Sequence, residues 1–216
     1  MEAHARGYEL KTRHTRMRLA NVQELVEPEP GDRVLDLGCA AGSMAHFLST
    51  FGCESVGVDD APAAIAAARE RYPELTFELA GSPEMPFPAG SFDKIVAADL
   101  TEHLDEPTLV RTFEECFRVL RPGGTLSIHT PNPRHLIERL KAHELVLAQN
   151  PTHVGLRTRE ELEQHLRDAG LVIELSVWRR SFIPIFRTIE LVGGRVTELL
   201  RYRICIRARK PAGSDG

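Results

Sequence analysis

Val34-Leu35-Asp36-Leu37-Gly38-Cys39-Ala40-Ala41-Gly42-Ser43 is the stretch on which the fold turns. An apolar run carrying one carboxylate leads into a loop of small residues, and Met44-Ala45-His46-Phe47-Leu48 then reads as helix. Strand, tight turn and helix in that order open a nucleotide-type binding crevice. Glycine is required where the backbone bends sharply or must approach a ligand closely. Asp36, two residues before Gly38, selects among ligands. A dinucleotide would set its pyrophosphate against this loop, where a carboxylate repels it. A ligand presenting an ammonium and a sulfonium would be attracted.

Outward from this stretch the pattern repeats. Strand-like segments are expected at Arg33–Leu37, Ser55–Asp59, Leu75–Leu79, Phe92–Ala97 and Thr125–Thr130, with helices at Ser43–Phe51, Pro62–Arg71 and Thr108–Leu120. Strands alternating with helices specify βαβ units and a parallel sheet covered on both faces. Near-continuous apolar runs such as Ile95-Val96-Ala97 agree with burial on both sides. An amphipathic helix over Tyr8–Val26 is stopped by Glu27-Pro28-Glu29-Pro30-Gly31. Beyond Pro131 the periodicity suggests a helix over Arg134–Gln149 and another over Thr158–Ala169, opened by the capping box Thr158-Arg159-Glu160-Glu161 and stopped at Gly170. Leu171–Trp178 and Tyr202–Arg209 read as a final strand pair, the second alternating Ile204, Ile206 and Ala208 with Arg203, Arg207 and Arg209. With no repeat or linker, one domain over 1–216 is expected: a helical cap (1–30), a cofactor-binding core (31–175) and a terminal strand pair with an insert (176–210).

Composition narrows the class. Apolar content of 42% and charged content of 27% are those of an ordinary globular protein able to bury a core. The start, Met1-Glu2-Ala3-His4, carries no signal-peptide pattern, and no apolar run is long enough to span a bilayer. Cys39, Cys53, Cys116 and Cys205 are scattered, which argues against a disulfide framework or structural zinc and for a reducing, cytoplasmic setting. No metal is expected. The net charge of −4 is uneven: about −10 over residues 1–175 and about +7 over 176–210. In that basic end, Phe182-Ile183-Pro184-Ile185-Phe186 lies among Arg179, Arg180 and Arg187. Three uses of Ser181–Leu200 are open, with the first favoured: a lid over an apolar acceptor, a homodimer contact, or peripheral contact with anionic lipid.

The second strand adds specificity. Ser55-Val56-Gly57-Val58-Asp59 ends in a carboxylate 21 residues after Gly38, where it can accept hydrogen bonds from both hydroxyls of a ribose. A helix cap by Asp59 or Asp60 is the plainer alternative. The loop, Gly57-Val58-Asp59, Met85-Pro86-Phe87-Pro88-Ala89-Gly90-Ser91-Phe92-Asp93, Glu102-His103-Leu104 and Arg118-Val119-Leu120-Arg121-Pro122-Gly123-Gly124 follow in order. This series resembles the class I S-adenosylmethionine-dependent methyltransferases, in particular the small-molecule branch that includes the ubiquinone-type O-methyltransferases. Thr130-Pro131-Asn132 and His153 ahead of Thr158 fit the same branch.

The resemblance implies a Rossmann-like, doubly wound α/β sheet of seven strands, six parallel and one antiparallel. It implies that Asp36, Gly38, Cys39, Ala40 and Gly42 form the cofactor loop, the residues from Gly38 to Ala40 lining the methionine half. It further implies that Asp59 holds the ribose, that Asp60 and Ser82 flank the adenine, and that Ala98 or Asp99 meets the methionine end. His103 would lie over the transfer site. Ala40 stands where the family usually has glycine, and Gly81 where many relatives carry an aspartate.

Methyl transfer from a sulfonium needs chiefly a positioned acceptor and a dry site. For a hydroxyl acceptor a base helps, and histidine suits neutral pH. His103 is the first candidate and His153 the second, while His129, inside a strand, reads as a core residue. The expected activity is therefore O-methylation of a small molecule, with N- or C-methylation and a non-catalytic cofactor-binding regulator as alternatives. A dinucleotide oxidoreductase is disfavoured by Asp36, and no nucleic acid is expected, because Asp99-Leu100-Thr101-Glu102 replaces the Pro-Pro-aromatic loop of DNA amino-methylating enzymes.

Overall fold

A computed structural model of the chain describes residues 13–136, 138–139, 152–179, 199 and 201–213. The elements in order are α1 (Arg13–Val26), β1 (Arg33–Leu37), α2 (Ser43–Ser49), β2 (Glu54–Asp59), α3 (Pro62–Arg71), β3 (Thr76–Leu79) and β4 (Phe92–Ala98). A 3-10 turn (Thr101–His103) follows, then α4 (Glu106–Val119), β5 (Leu120–Pro131), α5 (Arg159–Asp168), β6 (Val172–Arg179) and β7 (Arg203–Arg209). They form one seven-stranded sheet in the order β3-β2-β1-β4-β5-β7-β6. Strand β7 runs antiparallel to both β5 and β6, and the remaining pairs are parallel. The chain winds outward from β1 to β3 and returns to β4 on the other side, so the switch point lies between β1 and β4, where open α/β sheets bind ligands.

Period-two alternation assigns the faces of β1. Val34 packs with Leu19, Val22 and Val26 of α1 and Met44 and Leu48 of α2. Leu35 and Leu37 face the other way, into a core with Leu109, Phe113 and Cys116 of α4 and Leu162 and Leu166 of α5. By the same alternation Asp36 shares its face with Val34, toward α1 and α2. A third cluster joins Cys39 and Ala45 to Ile65, Ala68 and Phe77 beneath the loop.

Local signals explain most boundaries. Thr158 caps α5 through the full capping box, both reciprocal hydrogen bonds being present. Asp105 accepts from the Thr108 backbone at 3.0 Å and starts α4 two residues earlier than the sequence spacing suggests, with Pro107 in the first turn. The N-cap of α3 is Ala61, which carries no side-chain cap, so the expected cap by Asp60 does not form. Strand β5 begins at Leu120 rather than Thr125, because Leu120 already pairs with Phe92. Within that run Gly124 admits no side chain: a Cβ there would lie 2.8 Å from the Asp93 carbonyl oxygen. The segments 8–12, most of 134–149 and 181–200 (Leu199 excepted) lie outside the described residues, and with them the lid, dimer and lipid readings of the insert.

Candidate active site

The loop after β1 is held from below. The amides of Gly38 and Cys39 both donate to the Val58 carbonyl, at 2.8 and 2.9 Å. Gly38, Ala40 and Gly42 all take left-handed backbone angles, φ +75°, +46° and +79°. At Gly42 a side chain is excluded twice over, since a Cβ would also fall 2.6 Å from Phe77. Ala40 adopts the strained angle all the same, a cost of roughly 1–2 kcal/mol for a residue with a Cβ. Cys39 is buried in the packing under the loop, and burial raises its thiol pKa, so it is no nucleophile.

Two carboxylates frame this loop. Asp36 is 3% exposed and accepts from the Ala45 backbone N–H at 3.0 Å, in the first turn of α2. Burial pushes its pKa up to about 7, against the opposing pull of Arg18 and the Ala45 hydrogen bond. Asp59 uses one oxygen to accept from Ala40 N and the other from Ala61 N, both at 2.9 Å, and so ties the loop to the start of α3. Each carboxylate oxygen accepts a further bond, so ribose hydroxyls can still be received. Asp60 is exposed. Ser82 is 2.8 Å from the Thr112 hydroxyl on α4, and a side chain at Gly81 would meet only Pro83, at 3.4 Å.

At the end of β4, Ala98 is buried and its carbonyl accepts from Arg18 at 3.1 Å. Asp99 is engaged in charge pairing: Arg18 on α1 lies 2.8 Å from one oxygen and Arg203 on β7 lies 2.7 Å from the other. Burial alone would raise its pKa, but Arg203 and Arg18 overcome that and hold it well below the usual carboxylate range. His129 sits 3.7 Å from the same carboxylate, and burial lowers its pKa, which keeps it a neutral core residue as the sequence suggests. Two guanidinium groups thus converge on one carboxylate beside the switch point, and they also act on the buried acids nearby, Arg18 on Asp36 and Arg203 on Glu102.

The turn after β4 carries the other half of the site. Glu102 is 2% exposed and accepts from the Thr130 hydroxyl at 3.0 Å, while the Thr101 hydroxyl donates to Thr130 at 3.0 Å. Burial, reinforced by the Asp99 charge, raises the Glu102 pKa. The two candidate histidines come together: the rings of His103 and His153 are 4.9 Å apart and nearly perpendicular, and His103 Nδ1 is 3.0 Å from the Thr152 carbonyl. Arg157 fastens the two segments. One guanidinium nitrogen donates to the carbonyls of Thr101, Leu104 and Gly155 at 3.2, 3.0 and 2.7 Å, and another reaches Glu106 at 3.1 Å. Arg18, Arg203 and Arg157 were not singled out by sequence spacing, and Glu102 entered only as part of the Glu102-His103-Leu104 motif, with no role assigned to it.

With this geometry in view, comparison with known proteins is informative. A methyltransferase domain model matches residues 4–176. A Mycolicibacterium smegmatis protein described as an S-adenosylmethionine-dependent methyltransferase is 34% identical over 153 residues, 70% of this chain and 56% of its own length. A Xanthomonas axonopodis pv. citri ubiquinone biosynthesis O-methyltransferase is 30% identical over 169 residues, 73% of this chain and 70% of that protein. The chain thus spans about half the length of the mycobacterial relatives it matches. Among solved structures, the [4+2]-cyclase SpnF has a TM-score of 0.73 at 21% identity, covering 96% of this chain and 84% of that one, a likeness of fold. The family match and the Xanthomonas relative together settle the lineage: the chain belongs to the S-adenosylmethionine-dependent methyltransferases of class I.

Proposed function

We propose that the chain binds S-adenosylmethionine over the Gly38–Gly42 loop and methylates a small-molecule acceptor on oxygen. The observation that carries this reading is the charge arrangement at the switch point: a buried carboxylate under the loop, two guanidinium groups paired with Asp99 beside it, and a histidine pair on the adjoining turn. This pattern fits the cofactor. Asp36 would hold the ammonium of the methionine end, Arg18 would attract its carboxylate, and Asp59 would receive the ribose hydroxyls. The same acids oppose a pyrophosphate, which disfavours a dinucleotide.

When bound, S-adenosylmethionine supplies a methyl group on a sulfonium. The chain's own residues then have little covalent work: they orient the acceptor, exclude water and help its proton leave. His103, with His153 packed edge-on against it, would face the acceptor hydroxyl; the Thr152 carbonyl holds the His103 ring, and Arg157 holds the Gly155 carbonyl of the adjoining segment. The O-methyltransferase name of the Xanthomonas relative supports oxygen over nitrogen or carbon. The test is a calorimetric titration with S-adenosylmethionine followed by product assays on hydroxylated and amine acceptors, for wild type and His103→Ala. Turnover on a hydroxylated acceptor should fall about 10²–10⁴-fold in the variant with cofactor affinity retained. A variant within a few-fold of wild type removes His103 from the chemistry, and cofactor binding without transfer to any acceptor favours a regulatory role.

A further inference from the structure

One hydroxyl on α4 has a single proton and two oxygen neighbours. Thr112 Oγ1 lies 2.7 Å from the Thr108 carbonyl oxygen and 2.8 Å from the Ser82 hydroxyl in the loop after β3. We propose that Thr112 fixes Ser82 as a hydrogen-bond acceptor only, and that this acceptor selects a cofactor whose purine carries a 6-amino group over one carrying a 6-oxo group. The selection rests on the reading that S-adenosylmethionine lies over the Gly38–Gly42 loop with its ribose at Asp59. Thr112 is then a positioning residue, acting on the base through Ser82.

The direction of the hydrogen bonds is forced. A carbonyl oxygen only accepts, so the Thr112 proton points to Thr108. The Thr112 oxygen is left with lone pairs, and its contact with Ser82 is a hydrogen bond only when Ser82 donates. Ser82 has thereby used its one proton and keeps lone pairs alone. Thr112 is 1% exposed, which leaves little room for water to replace either partner.

Topology brings this acceptor to the base. With the methionine end at the switch point and the ribose at the end of β2, the cofactor runs across the sheet toward β3, the next strand outward. The Ala80 N–H donates to the Asp59 carbonyl at 3.1 Å, so the loop carrying Ser82 starts against the ribose-binding residue. Ser82 is half-buried there, between Gly81 and Pro83. Neither neighbour has a polar side chain, and Pro83 has no N–H. Over Gly81-Ser82-Pro83 the side-chain reading of a base thus falls to one oxygen, Ser82 Oγ.

Hydrogen-bond polarity decides between bases. A 6-amino group donates and meets a lone pair. A 6-oxo group only accepts, so two lone pairs face one another and neither is satisfied. A site built for one polarity rejects the other because its polar atoms are left unpaired.

The experiment is calorimetry on the full chain with S-adenosylhomocysteine and its 6-oxo analogue. Wild type should bind the 6-oxo analogue about tenfold more weakly, or worse. Thr112→Val keeps the outline of the side chain and removes the acceptor, so Ser82 is free to turn its proton to the base. The preference should shrink to within about threefold, chiefly through tighter binding of the 6-oxo analogue. Thr112→Ser returns the acceptor and should return the preference, while Ser82→Ala should abolish it. A role of Thr112 in packing alone would weaken both ligands together and leave their ratio unchanged, which overturns the inference. A wild-type ratio near one also overturns it and leaves cofactor binding standing. Wild type that binds neither ligand overturns the cofactor reading, and the selection with it.

Discussion

Replacing Asp36 by asparagine should uncouple cofactor binding from pH. The carboxylate is 3% exposed, and burial pushes its pKa up to about 7. An ammonium docked against it requires the ionised form, so proton and ligand compete for the same group. Affinity should therefore fall by close to tenfold per unit below pH 7, and by about tenfold overall between pH 8 and pH 6. The cofactor's own amino group titrates near 7.7–8.0, so the informative quantity is the ratio of wild-type to Asp36→Asn affinity, from which ligand ionisation cancels. At pH 8 the variant should bind at least tenfold more weakly, since a hydrogen bond to a charged group contributes roughly 1.5–3 kcal/mol. By pH 6 the ratio should have shrunk about tenfold.

Stability should move the opposite way. A carboxyl whose pKa is raised on folding is protonated more readily in the native state. The native state therefore loses stability as pH rises from about 4 to about 7, by roughly 4 kcal/mol at the plateau. Asp36→Asn should melt at a higher temperature than wild type at pH 8, and the two should converge near pH 4. Calorimetric titrations and thermal scans across that range decide the matter. A wild-type to variant affinity ratio unchanged between pH 6 and pH 8 would refute the reasoning.

Three further outcomes follow from the same geometry. Asp59→Ala should weaken cofactor binding by one to several orders of magnitude and also lower the melting temperature, since its carboxylate anchors Ala40 N and Ala61 N; an unchanged calorimetric affinity would move the ribose contact elsewhere. Ala40→Gly should relieve the left-handed strain at φ +46° and, after the added freedom of the unfolded chain, stabilise the fold by about 0.5 kcal/mol in thermal or denaturant unfolding; a loss of stability would contradict that. Arg157→Met strands three carbonyls and should cost about 2–4 kcal/mol in denaturant titration, with turnover falling more than S-adenosylhomocysteine affinity; equal falls in both would deny Arg157 a role in positioning the histidines.

The parts legible in the sequence are those written in local patterns. Strand β1, the left-handed glycines and the Thr158 capping box each announce themselves within about ten residues, and the βα alternation that places them in a sheet is the sum of such signals. Asp36 was readable because a carboxylate inside an apolar run has no packing reason to be there. The pairing of Asp99 was not, because its two partners lie 81 and 104 residues away and arginine on a helix or strand ordinarily means a solvated face. Arg157 stayed hidden for a related reason: its partners are backbone carbonyls, which every residue has and no side-chain pattern reveals. His103 and His153 were legible separately, but their meeting depends on a backbone path through Thr152 and Gly155.

The strand order has a consequence for the order in which the molecule can be completed. Strand β6 is made before β7, yet it joins the sheet by pairing with β7, which alone bridges it to β5. During synthesis β6 must wait, unpaired at that edge, until β7 emerges and slots between two strands already present. The same arrival brings Arg203 to Asp99 and supplies the second guanidinium beside the switch point. Until then the nascent chain has its glycine loop and its carboxylates but not the charge balance around them. A nascent chain halted after β6 therefore lacks the Arg203–Asp99 pair and should expose the β5 edge to wrong partners.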